Sequence, residues 1–479
     1  MTTVRARPVP YLAALLTTIL ALGPGASLAQ KVPPTDPHFT AKGSWGQDYD
    51  DQWAIKRVGF DGEPDSAWRQ VKPSARPVIV AVIDTGLDWN HRDIDWKNLW
   101  QNPGEIPDNG IDDDNNGYVD DIIGWDFFAN SNKPWDHDGH GTFVTGIIAA
   151  AWNNGAGIAG INPDARVMVL KAINNFGHSR ASYLARAIAY AVDNGARVIN
   201  LSVGGKEISA IEQDALEYAH RNNVVVVVAA GNEGVDVGNY GMAASDKVIT
   251  VASTGFKDER QAFSNWGRAI DIAAPGLDVL SLRARRTDTM RDIEGVAYQP
   301  GAAYVGADKR YYRASGTSFS APMVTAVASL LLANDPSLTH EEVKRILVNS
   351  ARDVDIPGID QYSGHGLLDA RAALAADRHF DIQAEITGVA VVAEDGRQRV
   401  QVNGTARADR FAGARIELGA GENPATWTPA GEVGKAVSGG LLASIDAGQF
   451  RGSPVWTIRL IVTHDNGSTR ETRFELRLG

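Results

Sequence analysis

Over the first three quarters of the chain, hydrophobic positions come in short continuous runs. The runs at 78–83, 166–170, 197–201, 224–229 and 248–252 read as strands buried on both faces, the mark of a parallel sheet covered by helices on each side. Between them, 182–192, 208–221 and 323–333 space their apolar residues three and four apart, as amphipathic helices do. The succession predicts an α/β fold built on a mostly parallel sheet flanked by helices. In such sheets ligands sit at the carboxyl ends of the strands. The residues placed there are Asp84, the segment 202–205 and Gly231-Asn232. After about residue 380 the period falls to two. Segments 382–392, 399–406, 414–418 and 456–463 alternate, and a His464-Asp465-Asn466-Gly467 turn leads into 470–478. This predicts a C-terminal all-β module, sandwich-like and of immunoglobulin size. There is no internal repeat and no long low-complexity linker.

The first 29 residues fit neither unit. Arg5 and Arg7 precede an apolar run at 11–22 that is too short to span a bilayer, and Ser27-Leu28-Ala29 places small residues where a signal peptidase cuts. The chain therefore divides into a signal peptide at 1–29, an α/β domain at 30–380 and a β-domain at 381–479. No later run approaches the ~18 uninterrupted apolar residues of a membrane span. The expectation is a monomer, secreted or periplasmic, with no membrane span once the signal is removed. Lys plus Arg number 46 against 58 Asp plus Glu, a net charge of −12, which argues against a nucleic-acid partner. The absence of cysteine excludes thiol catalysis, thiolate zinc and disulfides, leaving packing and oxygen-ligated ions to stabilise an exported chain.

Three segments carry chemistry: Asp84-Thr85-Gly86 at the end of the first strand, Asp138-Gly139-His140-Gly141-Thr142, and Ser315-Gly316-Thr317-Ser318-Phe319-Ser320-Ala321-Pro322. Singly they read as a tight turn, a helix start and an N-cap. Together, in that order and with Ala229-Ala230-Gly231-Asn232 between the last two, they resemble a subtilisin-like serine protease, a subtilase of the peptidase S8 family. Further matches are Asn200-Leu201-Ser202-Val203-Gly204-Gly205, Phe263-Ser264-Asn265-Trp266-Gly267, Ala273-Ala274-Pro275-Gly276 and Gly364-His365-Gly366-Leu367-Leu368-Asp369-Ala370. The resemblance covers roughly residues 45 to 375.

It implies a serine endopeptidase acting on protein or peptide substrates. Ser318 is the nucleophile, His140 its base, Asp84 the group that orients the imidazole, and Asn232 a donor to the oxyanion. Ser202, Val203 and Gly204 match the segment that pairs with the substrate backbone, and Gly231 is expected beside it. The physical chemistry agrees: a serine at a helix start has its hydroxyl exposed beside the positive end of the helix. Pro322 is expected in the first helical turn, where a missing N–H costs little. His137 is a rival base whose ordinary reading is a solvated loop histidine.

The chain departs from the family pattern at Phe143, Phe319 and Met323, which bears on pocket shape rather than proton transfer. The run from Val279 to Arg313, with Arg283, Arg285, Arg286 and Arg291, reads as a solvated surface insertion. No cofactor is needed for chemistry, but structural calcium is expected. Asp112, Asp114, Asn116 and Asp120 offer oxygen ligands around the bend at Gly117, with Asp121 following; Ile123 stands where an EF-hand has its bidentate Glu, so this is not an EF-hand. The resemblance implies a second site at Asp93 with Asn153 or Asn154.

Two other readings compete. Aspartic proteases use Asp-Thr-Gly but need two copies, and this chain has one. A non-catalytic secreted binding protein on the same scaffold has no use for Asp84, His140, Asn232 and Ser318 together. Because only 30–83 precede Asp84, the expectation is folding without a conventional pro-domain.

Overall fold

In the computed structural model, which describes residues 33–73, 75–285 and 303–478, seven parallel strands form the centre. The segment 1–29, expected to be a signal peptide, and Arg286 and Arg291 lie outside the described residues. The strands are β1 (Ile79–Asp84), β2 (Gly124–Asp126), β3 (Arg166–Lys171), β4 (Val198–Leu201), β5 (Val225–Ala229), β6 (Ile249–Thr254) and β7 (Ile272–Pro275), in the order β2-β3-β1-β4-β5-β6-β7. Two short helices, α1 (Pro37–Thr40) and α2 (Trp53–Arg57), precede the sheet; α3 (His140–Ala149), α4 (Ala181–Asp193), α5 (Ala210–Arg221), α6 (Thr317–Asn334), α7 (His340–Ser350) and α8 (Ala370–Ala375) follow β1.

The unbroken apolar runs are explained by burial on both sides. Val80 and Val82 of β1 join one core with α3 and α6, whereas Ala81 and Ile83 join the other with α4 and α5. Ser209 with Glu212 and Thr339 with Glu342 close reciprocal capping boxes that start α5 and α7. Helix α6 is apolar on nearly every side because it runs through the core, where 16 of its 18 residues are buried.

A small antiparallel sheet, β8 (Val279–Leu282), β9 (Tyr304–Val305) and β10 (Tyr311–Ala314), corrects the reading of 279–313 as a solvated insertion. Its ends are paired strands whose Leu280, Leu282 and Tyr311 are buried. Arg285 reaches back to the buried Asp88, with Nε 3.3 Å from Oδ2.

Beyond Phe380 come β11 (Ile382–Glu394), β12 (Arg397–Ala408), β13 (Phe411–Ala420), β14 (Thr428–Val433), β15 (Val437–Asp446), β16 (Val455–His464) and β17 (Thr469–Arg477), arranged as antiparallel sheets β11-β12-β15 and β14-β13-β16-β17. Val400, Val402, Ile416, Leu418, Ile458 and Leu460 fill a core of their own. Arg470 of β17 ties this module to the rest. Its buried guanidinium donates to the carbonyls of Val348 and Asn349 (2.8 Å each), His365 (2.9 Å) and Ala351 (3.4 Å), so it caps the carboxyl end of α7. The cation lies where the helix dipole favours positive charge. Arg470→Met keeps the apolar stem but orphans these carbonyls, at about 1 to 3 kcal/mol for each that stays dry. The expected result in a urea melt is a loss of about 3 kcal/mol or more, with kcat/KM of the folded fraction unchanged; an unaltered midpoint refutes the clamp.

Candidate active site

Strand β1 ends at Asp84 and helix α3 begins at His140, and glycines let the two elements meet. A Cβ on Gly141 would lie 2.3 Å from the Gly86 carbonyl oxygen, so a larger residue would push α3 off the strand. At this junction His140 Nδ1 and Asp84 Oδ1 are 2.8 Å apart, with Asp84 Oδ1 also accepting from Thr85 N at 2.7 Å. Burial alone would depress the His140 imidazole, but the charge and hydrogen bond of Asp84, helped by Asp138 and Asp136, push its pKa up to about 9. His137, the rival base, is exposed.

Asp136 organises this corner, a role the sequence reading did not assign. Its buried carboxylate accepts from Thr85 Oγ1 (2.9 Å), Asp138 N (3.0 Å), Gly139 N (2.8 Å), Thr142 N (2.9 Å) and Thr142 Oγ1 (2.6 Å). It thereby pins the turn that starts α3 to the end of β1. Five donors on one carboxylate are the only signal, and they become visible only after folding.

Ser318 is the second residue of α6. Its Oγ donates to the Ser202 carbonyl at 3.1 Å, and no hydrogen bond joins it to His140 among the described residues. Pro322 sits at the sixth helical position, correcting its expected place in the first turn. Its missing N–H would leave the Ser318 carbonyl without the usual helical partner. The Ser202 hydroxyl fills that vacancy at 2.9 Å, itself held by Asn200 Nδ2 at 2.9 Å. The loss of one helical bond thus becomes a tie between the Ser318 turn and the end of β4.

Asn232 follows β5. Its Oδ1 accepts from both Thr317 N and Thr317 Oγ1 at 2.9 Å, so the amide Nδ2 is the end left to face the cleft. The cleft, about 270 Å³, is lined by His140, Ser318, Asn232, Ser202, Val203 and Gly204, and also by Ile173 and Phe176. Gly231 is a correction: it is buried behind Asn232, with its N–H donated to Thr317 Oγ1 at 3.1 Å, and it does not line the cleft. Two of the departures from the family pattern meet here. Phe319 packs on Phe143 with ring centroids 4.3 Å apart and flanks His140 at 5.6 Å.

The acidic loop is rearranged relative to its expected ligand set. Glu105, Asp114 and Asp121 bring carboxylate oxygens within 4.8 Å of one another. Asp112 is spent on the backbone N–H groups of Asn116 and Gly117, and Asp120 on those of Asn109 and Gly110. Asn116 donates to Asp114 and Asp121 through Nδ2, at 3.1 and 3.0 Å. At the other site Asp93 accepts from Asn154 Nδ2 at 2.7 Å, while Asn153 holds Thr35 and Asp36. Asp36 Oδ1 is buried without a partner. Burial, with the charge of Asp36 adding to it, pushes the Asp93 carboxyl up to about 6. Two buried carboxylates that repel each other, one with an orphaned oxygen, form a donor set that fits a hard cation.

A protein-family model described as the subtilase family matches residues 75–366. In sequence the chain is 30% identical over 341 residues to thermitase of Thermoactinomyces vulgaris, across 71% of this chain and 99% of that protein. It is 33% identical over 310 residues to a thermophilic serine proteinase of Bacillus sp. (strain AK1), across 65% of this chain and 64% of that protein. With subtilisin-like protease 1 of Plasmodium berghei (strain Anka) it shares 31% over 308 residues, spanning about half, 49%, of that relative's length. Among solved structures it resembles a protease from Pseudoalteromonas arctica PAMC 21717, with a TM-score of 0.53 and 28% identity over 71% of this chain and 98% of that one. The family match ends before β11 begins.

Proposed function

The chain belongs to the subtilase family, and from that premise we propose that it is a secreted serine endopeptidase that cleaves protein substrates through an acyl-enzyme. The observation that carries this reading is the Asp84–His140 hydrogen bond of 2.8 Å at a cleft shared with the Ser318 hydroxyl and Asn232. Ser318 Oγ turns from the Ser202 carbonyl to the imidazole by a change of rotamer and attacks the scissile carbonyl, as its proton passes to His140 Nε2. Asn232 Nδ2 and the Ser318 N–H receive the oxyanion. His140 then gives the proton to the leaving amine, the C–N bond breaks, and a water repeats the sequence to free the acid. The substrate backbone lies along Ser202 to Gly204 as an added strand, and Ile173, Phe176 and Val203 favour apolar side chains beside it.

The test is labelling of residues 30–479 by a serine-directed fluorophosphonate alongside casein hydrolysis. One label per chain and caseinolysis insensitive to pepstatin-type inhibitors are expected; folded protein that takes no label refutes the reading. Asn232→Ala is expected to lower kcat by about a hundred- to a thousand-fold with little change in KM, because the donor it removes strengthens only in the transition state. A rise in KM at constant kcat would instead make Asn232 a ground-state contact.

Calcium is proposed as a structural ion held by Asp36 and Asp93, with a second held by Glu105, Asp114 and Asp121. Bound there it offsets the repulsion between buried carboxylates and takes no part in the chemistry. At a thousand times its Kd such an ion contributes about 4 kcal/mol. Chelation is expected to lower the unfolding temperature reversibly. Asp93→Asn should lose the share of that dependence that comes from the Asp36–Asp93 site, keeping the share from the acidic loop, while being no less stable than the chelated parent, since it also removes the repulsion. A melting curve indifferent to chelator removes calcium from the account.

A further inference from the structure

At the end of the sheet opposite the cleft, where the interior strands β5 and β6 begin, helix α5 ends and helix α7 starts. A cavity of about 340 Å³ opens there, with His220 of α5 and His340 and Glu341 of α7 in its wall. One ligand atom from each of the three lies within 4.8 Å of the other two. The imidazole rings meet edge to face with centroids 4.2 Å apart. His340 Nε2 is buried without a hydrogen-bond partner.

The tautomer of His340 is set by its neighbour. Asn223 Oδ1 accepts the backbone N–H of His340 at 2.6 Å and faces His340 Nδ1 at 3.0 Å. A backbone N–H can only donate, so the accepting atom of Asn223 is its oxygen, and Nδ1 must carry the proton. Nε2 therefore presents a lone pair. A ring nitrogen fixed by a hydrogen bond on its far side is the arrangement that metal-binding histidines use. Asn223 is held for this by its left-handed backbone, φ 60°, just past the end of α5.

We infer that His220, His340 and Glu341 bind a divalent transition-metal ion of the zinc type. Two imidazoles and a carboxylate suit Zn²⁺ and are a poor set for calcium, which takes oxygen; water completes the shell. Two ammonium groups also line the cavity, but both are engaged elsewhere. Lys344 Nζ donates to the Val248 carbonyl at 2.7 Å and to Asp271 at 2.9 Å, and Lys247 Nζ lies 3.6 Å from Glu217 and 3.8 Å from Asp246. The carboxyl end of α5 favours a cation and the amino end of α7 opposes it, so the two helix dipoles offset each other. The ion would act as a staple. Ala215, Leu216 and Ala219 of α5 pack into one face of the sheet and Val343, Ile346 and Leu347 of α7 into the other, so one ion joins layers that the sheet separates.

The experiment is calorimetric titration of the calcium-saturated full chain with zinc chloride, in a Ser318→Ala background to prevent self-digestion, with thermal unfolding followed in parallel. One zinc per chain and a higher unfolding temperature are expected, with Kd weakened at least tenfold and the thermal shift lost in His220→Ala. Glu341→Gln, at an exposed position that leaves folding intact, is expected to weaken binding in the same direction. Absence of binding, or zinc held with unchanged affinity by both variants, overturns the assignment.

Discussion

Ser318→Ala is expected to lower kcat by about a million-fold, with KM for a fluorogenic peptide and the unfolding temperature nearly unchanged. The alanine keeps the turn that begins α6, because Ser202 Oγ holds the backbone carbonyl of residue 318 rather than its side chain. Asn232 also stays oriented, since both its bonds go to Thr317. What disappears is the attacking oxygen, so the activity that remains is the thousand-fold or so that binding and the oxyanion donors supply on their own. The effect should be almost entirely in kcat. A loss of less than about a hundredfold, measured in single-turnover assays free of wild-type contamination, would place the nucleophile elsewhere.

The central sheet was legible because burial on both faces leaves a mark in one dimension. Strands β1, β3, β4, β5 and β6 each carry enough consecutive apolar residues to stand out. Strands β2, with three residues, and β7, with four, sit at the two edges and are too short to show a period. In the β-rich module, β14 and β15 were missed for another reason. Gly431 in β14 and Gly439 and Gly440 in β15 interrupt their alternation, and a strand without side chains has no pattern to read. Helix α7 went unread: its mark is the capping-box spacing of Thr339 and Glu342, which a search for apolar periodicity passes over.

The site divides along the same line. The proposed catalytic residues Asp84, His140, Asn232 and Ser318 lie in local strings whose neighbours are fixed by turn and helix-start geometry, so they can be proposed without a fold. Their supports cannot. Asp136 matters through donors that converge from Thr85 and Thr142, and Ser202 through a carbonyl freed by Pro322, 120 residues away. The acidic loop failed differently: alternating acceptors pointed to Asp112 and Asp120, yet those oxygens close tight turns on backbone N–H groups, and the oxygens that gather come from Asp114, Asp121 and the more distant Glu105. A short polar residue in a turn has two uses, and sequence spacing does not separate them.

Asp84→Asn is expected to cost about ten-thousand-fold in kcat/KM near neutral pH, and the pH profile shows why. The asparagine amide donates to His140 Nδ1, which moves the ring proton to Nε2, where it blocks acceptance of the Ser318 proton. It also removes the charge that outweighs burial. In the wild type that charge pushes His140 up to about 9, so the neutral base forms on the alkaline side and kcat/KM climbs toward alkaline pH. In Asp84→Asn, burial, the largest influence on this histidine, is opposed only by Asp138 and Asp136, so the rising limb should shift to lower pH while the whole curve drops. A limb that stays with the wild type would show that something other than Asp84 raises the imidazole. Stability runs the other way: a histidine whose pKa is raised by folding stabilises the protein fully below about pH 6.5, and the contribution is lost as pH rises through about 9. The alkaline conditions that supply the neutral base are thus those in which the charge-assisted Asp84–His140 pair falls back to a hydrogen bond from a neutral ring, and in the wild type activity and this share of stability trade against each other across the same pH interval.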